Sequence, residues 1–202
     1  LASLHMGLIA DRFKKRQSIK DLTIKEIIES VGNNGQAFCR ALLDGGTDEE
    51  NFVGQTLLVL EFDGDLKYRE FKEKCEKYSL SYAFTYKTLG SCANQKGFGA
   101  VFLMDRWIKN PALAKAANIL LRAFFSPVGA ECLNLGGYFL GGKGIIEKKP
   151  YAKINIVELA RNLEIYYRET KGRNNSKELK RLGKKSGICV KNGELCIYNE
   201  NE

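Results

Sequence analysis

The sequence predicts a mixed α+β (α/β) fold, a sheet domain flanked by helices, with a small basic helical and hairpin segment at its C-terminal end. Three observations predict it. Thr56 to Phe62 is a near-continuous apolar run of strand length, as a buried central strand requires. Pro111 to Phe124 carries an apolar stripe at helical spacing. Asn192-Gly193 sits between two short apolar runs, a strong hairpin signal. Strand-like and helix-like segments alternate between these landmarks, which favours a sheet covered by helices.

Taken in order, the elements follow from local chemistry. The first six residues read as a cloning remnant, since His5-Met6 is encoded by a common cloning site and Met6 is a natural start. The only histidine is thereby set aside. Thr23 opens a helix with Glu26 as capping-box partner. Ile24, Ile27, Ile28 and Val31 line one face of it, and Gly32 stops it. Gln36 to Leu43 reads as a second short helix and Gly45 to Asn51 as a loop. The central strand ends in Glu61-Phe62-Asp63-Gly64-Asp65, and Lys67 to Tyr78 is an amphipathic helix. Ser81 to Tyr86 and Ala100 to Met104 are further strands.

Pro111 suits the first turn of the next helix, whose stripe is Leu113, Ala116, Ala117, Leu120, Leu121 and Phe124. Tyr138 to Leu140 is a short strand before the turn Gly141-Gly142-Lys143-Gly144. The composition shifts near Pro150, dividing the chain into residues 7–150 and a basic segment, residues 151–202. In the latter, Ile154 to Arg168 and Ser176 to Lys185 are helices, and Ile188 to Val190 and Leu195 to Tyr198 form the hairpin.

The charge is +8 over 202 residues, with a pI of about 9.1, so the partners favoured are anionic. It is unevenly placed: Arg161 to Lys191 holds ten basic residues against three acidic ones. Arg161, Arg168, Lys171, Arg173, Lys177, Lys180, Arg181, Lys184 and Lys185 are the candidate nucleic-acid ligands, able to displace counterions from phosphates. A second basic cluster is Arg12, Lys14, Lys15 and Arg16. No apolar run approaches the ~20 residues a spanning helix needs, so no membrane partner is expected. The six cysteines form no C-x-x-C pair, which argues against zinc and for a reducing, cytoplasmic location.

Glu61 and Asp63 alternate at a strand end, so period two places both on one face. Two such carboxylates can hold divalent metal ions that clamp a nucleotide's phosphates, though acidic residues are also ordinary in Asp-Gly turns. Asp65 shares their parity. The glycines around Lys143 fit either an anion-approaching backbone or a plain tight turn. Trp107, with Arg106 and Lys109, fits either a base-stacking platform or a helix anchor. Of Tyr166 and Tyr167, one is expected to pack and the other to touch nucleic acid.

The motif order is apolar strand with E-F-D, helix, strand with T-Y-K-T, Gly/Ser-rich turn, apolar strand, helix, then Y-F-L-G-G-K. From about Asn33 to Ile146 it resembles the archaeo-eukaryotic primase superfamily, specifically the primase-polymerase domains of plasmid, phage and integrative-element replication proteins. The resemblance implies a primase-polymerase-like sheet domain that joins nucleoside triphosphates on a single-stranded DNA or RNA template with Mg²⁺ or Mn²⁺. It implies metal ligands and catalytic residues at Glu61 and Asp63, Glu61 standing where the motif usually has aspartate. Lys87, Ser91, Lys96 and Lys143 would be the nucleotide ligands, and a helicase would be a further partner. The pattern departs at three places: Gly99 and Gly137 stand where arginine is expected, and Gly129 where aspartate is. Glu131 is the nearby acid that could stand in for the last. A catalytically inactive primase fold that binds nucleic acid or a protein partner is therefore the alternative.

Overall fold

The computed structural model describes residues 4–10, 17–44, 49–64, 66–89, 97–125, 135, 137–171, 180–181, 183–184, 187–191 and 194–197. The chain is mixed α+β. Its main sheet has five strands in the order β4-β5-β7-β6-β9, paired antiparallel throughout. These are β4 (Ala41–Leu43), β5 (Phe52–Phe62), β6 (Phe84–Thr88), β7 (Phe98–Ile108) and β9 (Gly142–Lys148). A second sheet, in the order β2-β1-β3-β8, joins β1 (Leu4–Ala10), β2 (Gln17–Leu22), β3 (Phe38–Cys39) and β8 (Tyr138–Phe139). The hairpin of β10 (Ile188–Lys191) and β11 (Glu194–Ile197) stands as expected.

Period two in β5 sorts the sheet into two faces. Leu58 and Leu60 join the larger core beneath α2 (Tyr68–Lys77), α3 (Pro111–Ala123) and α4 (Ile156–Lys171). Leu57 and Val59 join the smaller core with Ile27, Ile28, Val31, Phe38, Phe84 and Tyr86. Aromatic rings fill the larger core around fully buried Phe71, which meets Phe62, Tyr68, Tyr82, Phe98, Phe102 and Phe125. The chain after Pro150 shares that core, through Ile154, Ile156, Leu159, Ala160, Leu163 and Tyr167.

The capping box forms as the sequence demands: the Glu26 N–H donates to the Thr23 hydroxyl, and the Glu26 carboxylate accepts from the Thr23 N–H. Helix α1 (Ile24–Ile27) then widens into a π-helical stretch, Ile28–Asn33, that runs through Gly32 instead of stopping there. A Cβ on Gly32 would overlap the Ile145 side chain, so glycine lets this stretch lie directly on β9.

Three expectations are corrected. Gln36 to Leu43 is not a helix; it is β3 and β4, which belong to different sheets and hand the chain across at Arg40. Its Ala, Leu and Arg favour helix, but pairing with β8 and β5 overrides that weak propensity. Gly142-Lys143-Gly144 is not a turn but the start of β9, an irregular edge strand in which Gly144 holds φ of 149°. Trp107 lies within β7 rather than after it, and its indole covers Gly54, where any Cβ would overlap the ring. Of the two tyrosines, Tyr167 is buried, and Tyr166 is half-buried, packed on Phe124 and Tyr78 with the Lys74 ammonium over its ring.

Helix α2 is tied to the sheet edge through Glu147, which pairs with Lys72 at 3.1 Å and Lys149 at 3.2 Å and accepts from the Tyr68 hydroxyl at 3.0 Å. Desolvation pushes its carboxyl up, but the bonds from Lys72, Tyr82, Lys149 and Tyr68 together outweigh it and bring the pKa to about 2. A carboxyl depressed by folding stabilises the protein above its unfolded pKa and loses that effect as pH falls through the folded value. Acid unfolding of the wild type should therefore include a Glu147 contribution that fades between about pH 4.5 and about pH 2. Because the network lies near the surface, about 1 kcal/mol is expected. Urea melts at pH 7 and pH 2.5 should differ by that much less in Glu147→Gln, and an unchanged difference would contradict the assignment.

Candidate active site

Glu61, exposed at the strand end, is the last position of β5 on the smaller-core face, continuing Leu57 and Val59. It faces Gly99 of β7, which in turn faces Tyr86 of β6. Gly99 has no side chain to separate the two residues flanking it. The Tyr86 ring lies over Gly99, and its hydroxyl donates to Glu61 Oε1 at 3.1 Å, with the Leu140 carbonyl at 3.4 Å. A Cβ on Gly99 would fall among the ring atoms of Tyr86, and one on Gly142 would press on the ring from β9.

Burial pushes the Glu61 carboxyl above its ordinary value, and the Asp63 charge adds to this, while the Tyr86 hydrogen bond pulls it back. The Tyr86 phenol is raised well above its ordinary value, by burial first and then by the Glu61 charge, so it remains a protonated donor. Asp63 lies just beyond β5, exposed, and enters a turn at Gly64, whose φ of 100° only glycine adopts readily. Gly97 lets the start of β7 close on this corner: a Cβ there would meet the Thr88 hydroxyl and the Phe62 carbonyl.

The structure therefore brings Glu61 and Asp63 to one corner. Their chemistry fits a hard divalent ion such as Mg²⁺ or Mn²⁺, which binds through one or two carboxylates and keeps water or substrate phosphate for its other positions. Among the described residues no group of three His, Cys, Asp or Glu side chains could hold a metal.

The cations are placed differently. Lys87 is exposed and opposite Phe98, sharing parity with Thr85, whose hydroxyl meets Tyr68 of α2; this is the other face of the sheet from Glu61. Lys143 is exposed in β9 beside Gly142, on the strand that flanks Tyr86. Ser91, Lys96, Asp65, Gly129 and Glu131 lie outside the described residues, as do the Arg12 to Arg16 cluster, Arg173, Lys177 and Lys185. Arg161 and Arg168 are exposed on α4, and Lys180, Arg181 and Lys184 are exposed beyond it. Lys171 closes α4.

Helix α4 belongs to the face opposite Glu61. It enters through a parallel bridge between Ile154 and Met104. Met104 lies five residue steps from Gly99, about 17 Å along β7. The basic helix and the carboxylate corner are thus on different faces of the sheet.

Two residues were not anticipated. Tyr86 falls in a strand visible in the sequence, but its reach to Glu61 depends on Gly99 and Gly142, which are distant in the chain. Arg40 is 8% exposed; its Nη1 donates to Asn118 Oδ1 at 3.1 Å, and its guanidinium lies 5.2 Å from the Phe139 ring centre. Arg40 directly follows β3, which pairs with β8, and so comes to lie beside Phe139.

Compared with known families, the chain matches none, and no curated protein matches it either. Among solved structures it is similar to the AEP domain of the cyanophage S-2L primase-polymerase (PrimPol). That likeness has a TM-score of 0.46 and 16% sequence identity, over 79% of this chain and 87% of the other.

Proposed function

We propose that this chain is a primase-polymerase-type domain of a mobile-element replication protein, performing metal-dependent nucleotidyl transfer on a single-stranded template. The observation that carries the reading is the pairing of Glu61 and Asp63 at the end of the central strand, close enough for the Asp63 charge to be felt at Glu61. It joins the motif order of the sequence, in which the same two residues close the first motif. A divalent ion bound there would neutralise the phosphate oxygens of an incoming nucleoside triphosphate. Glu61 and Asp63 supply the negative charge that holds such an ion, and Tyr86 fixes the Glu61 carboxylate. Lys143 offers a cation from the flanking edge strand. Arg161, Arg168, Lys180, Arg181 and Lys184 form a separate phosphate-binding surface for nucleic acid.

One observation favours a second reading, a nucleic-acid-binding module without transfer activity. Tyr86 fills the space at Gly99 where the resemblance expects a cation for the triphosphate.

Primer synthesis on single-stranded DNA with Mg²⁺ or Mn²⁺ separates the two. Product from the wild type, lost in Asp63→Ala, supports the first. No product, with salt-sensitive binding kept, supports the second. Neither product nor binding overturns both. In the same titrations, Arg161→Ala and Arg168→Ala should each flatten the slope of log K against log salt by about 0.7, the value for one phosphate contact on a single strand. Unchanged slopes would remove α4 from the interface.

A further inference from the structure

We propose that Tyr86 is the positioning residue of the carboxylate corner, holding Glu61 in its metal-binding orientation through a slot that Gly99 and Gly142 leave open for its ring. The proposal rests on the reading of Glu61 as a metal ligand and deepens it.

Tyr86 is fully buried, so its hydroxyl cannot be satisfied by bulk water. Both groups near it, Glu61 Oε1 and the Leu140 carbonyl, are acceptors, so the hydroxyl donates, and the shorter bond goes to Glu61. A neutral donor fixes a carboxylate without cancelling its charge. An arginine or lysine in the same place would neutralise Glu61 and compete with a cation for it. The phenol leaves the full negative charge for an ion while removing the rotational freedom of a glutamate chain. Such outer partners typically set metal affinity by 10- to 100-fold.

The slot is as specific as the bond. Tyr86 sits two strands from Glu61, and β7 runs between them. Any side chain at position 99 would occupy the path of the ring, and any at position 142 would press on its edge. The three positions act as one unit: a tyrosine at 86 reaches Glu61 only because 99 and 142 are glycine.

The test is Mn²⁺ binding followed by electron paramagnetic resonance of free Mn²⁺, with far-UV circular dichroism and melting to confirm folding. The proteins are the wild type, Glu61→Gln, Tyr86→Phe, Gly99→Ala and the Tyr86→Phe/Gly99→Ala double variant. Glu61→Gln should lose Mn²⁺ binding. Tyr86→Phe keeps the ring and should weaken binding about tenfold. Gly99→Ala should weaken it comparably by displacing the ring, and the double variant should bind no worse than the weaker single, because the hydroxyl can be lost only once. Purely structural roles would instead make the two losses add. Binding that Glu61→Gln abolishes but Tyr86→Phe leaves intact overturns the proposal alone. Binding that survives Glu61→Gln overturns the metal reading, and the proposal with it. Should Gly99→Ala fail to fold, Tyr86→Phe still decides.

Discussion

Gly99→Arg, the substitution that would seem to restore the cation expected of a triphosphate site, should instead unfold the carboxylate corner. The new Cβ falls among the Tyr86 ring atoms, and the neighbours cannot yield easily, because the ring is also backed by Gly142 on β9. Overpacking a full core costs about 1–3 kcal/mol. Ejecting the ring also breaks its bond to Glu61, and a bond to a charged group adds about 1.5–3 kcal/mol. A combined loss of roughly 3–5 kcal/mol corresponds to a melting point lower by on the order of 10 °C for a domain of this size. Circular dichroism melts would show it. The decisive comparison adds Tyr86→Ala: emptying the ring's place should make Gly99→Arg less damaging than in the parent, so the pair is less destabilised than the sum of the singles. A Gly99→Arg protein melting within about 2 °C of the wild type would mean the ring is not in the slot.

Asn118→Leu should cost about 3 kcal/mol although the shapes are alike. Asn118 is 2% exposed and knots three elements. Its Oδ1 accepts from Arg40 at 3.1 Å, and its Nδ2 donates to the Ala114 carbonyl at 2.8 Å and to Gln55 Oε1 at 3.4 Å. Gln55 passes the chain on to the Leu57 carbonyl at 2.6 Å. Burial, with the nearby Arg122 charge, pulls the Arg40 pKa down to about 10, so this guanidinium already bears a desolvation cost. Leucine would take the Oδ1 acceptor from a buried charge and leave Gln55 without its amide donor, and such losses cost about 1.5–3 kcal/mol each where charge is involved. The midpoint of urea unfolding should fall with its slope unchanged. A shift under about 1 kcal/mol would show that other groups carry the network.

The legible parts of this molecule were those set by local chemistry. The Thr23–Glu26 box, the Pro111 start of α3 and the Asn192-Gly193 hairpin need only a few adjacent residues, and each stands where the sequence puts it. The apolar run before Glu61 announced the central strand, though β5 begins four residues earlier, at Phe52. Gln36 to Leu43 was misread because nothing local marks two short strands whose partners lie in β8 and β5. Strand β9 was misread for the opposite reason: its glycines look like a turn, but Gly142 serves a tyrosine 56 residues away in the chain. At the site, Glu61 and Asp63 were visible from alternation, whereas Tyr86 and Arg40 were not, because each acquires its partner only through sheet register. Lys87 shows the limit of motif order: it is near Glu61 in the list of motifs and on the opposite face in space.

The unequal cores either side of the sheet have a consequence for how the molecule breathes. The helix-covered face buries a continuous aromatic cluster, while the face bearing Glu61 has the smaller core, closed by a short helix, its π-helical extension and the second sheet. Opening free energy follows the surface buried, so amide protons beneath the thin layer should exchange by small local fluctuations, and those beneath the thick layer only by global unfolding. The carboxylate corner thus sits on the face that opens at the lower cost of the two, over a sheet held from behind by the larger core.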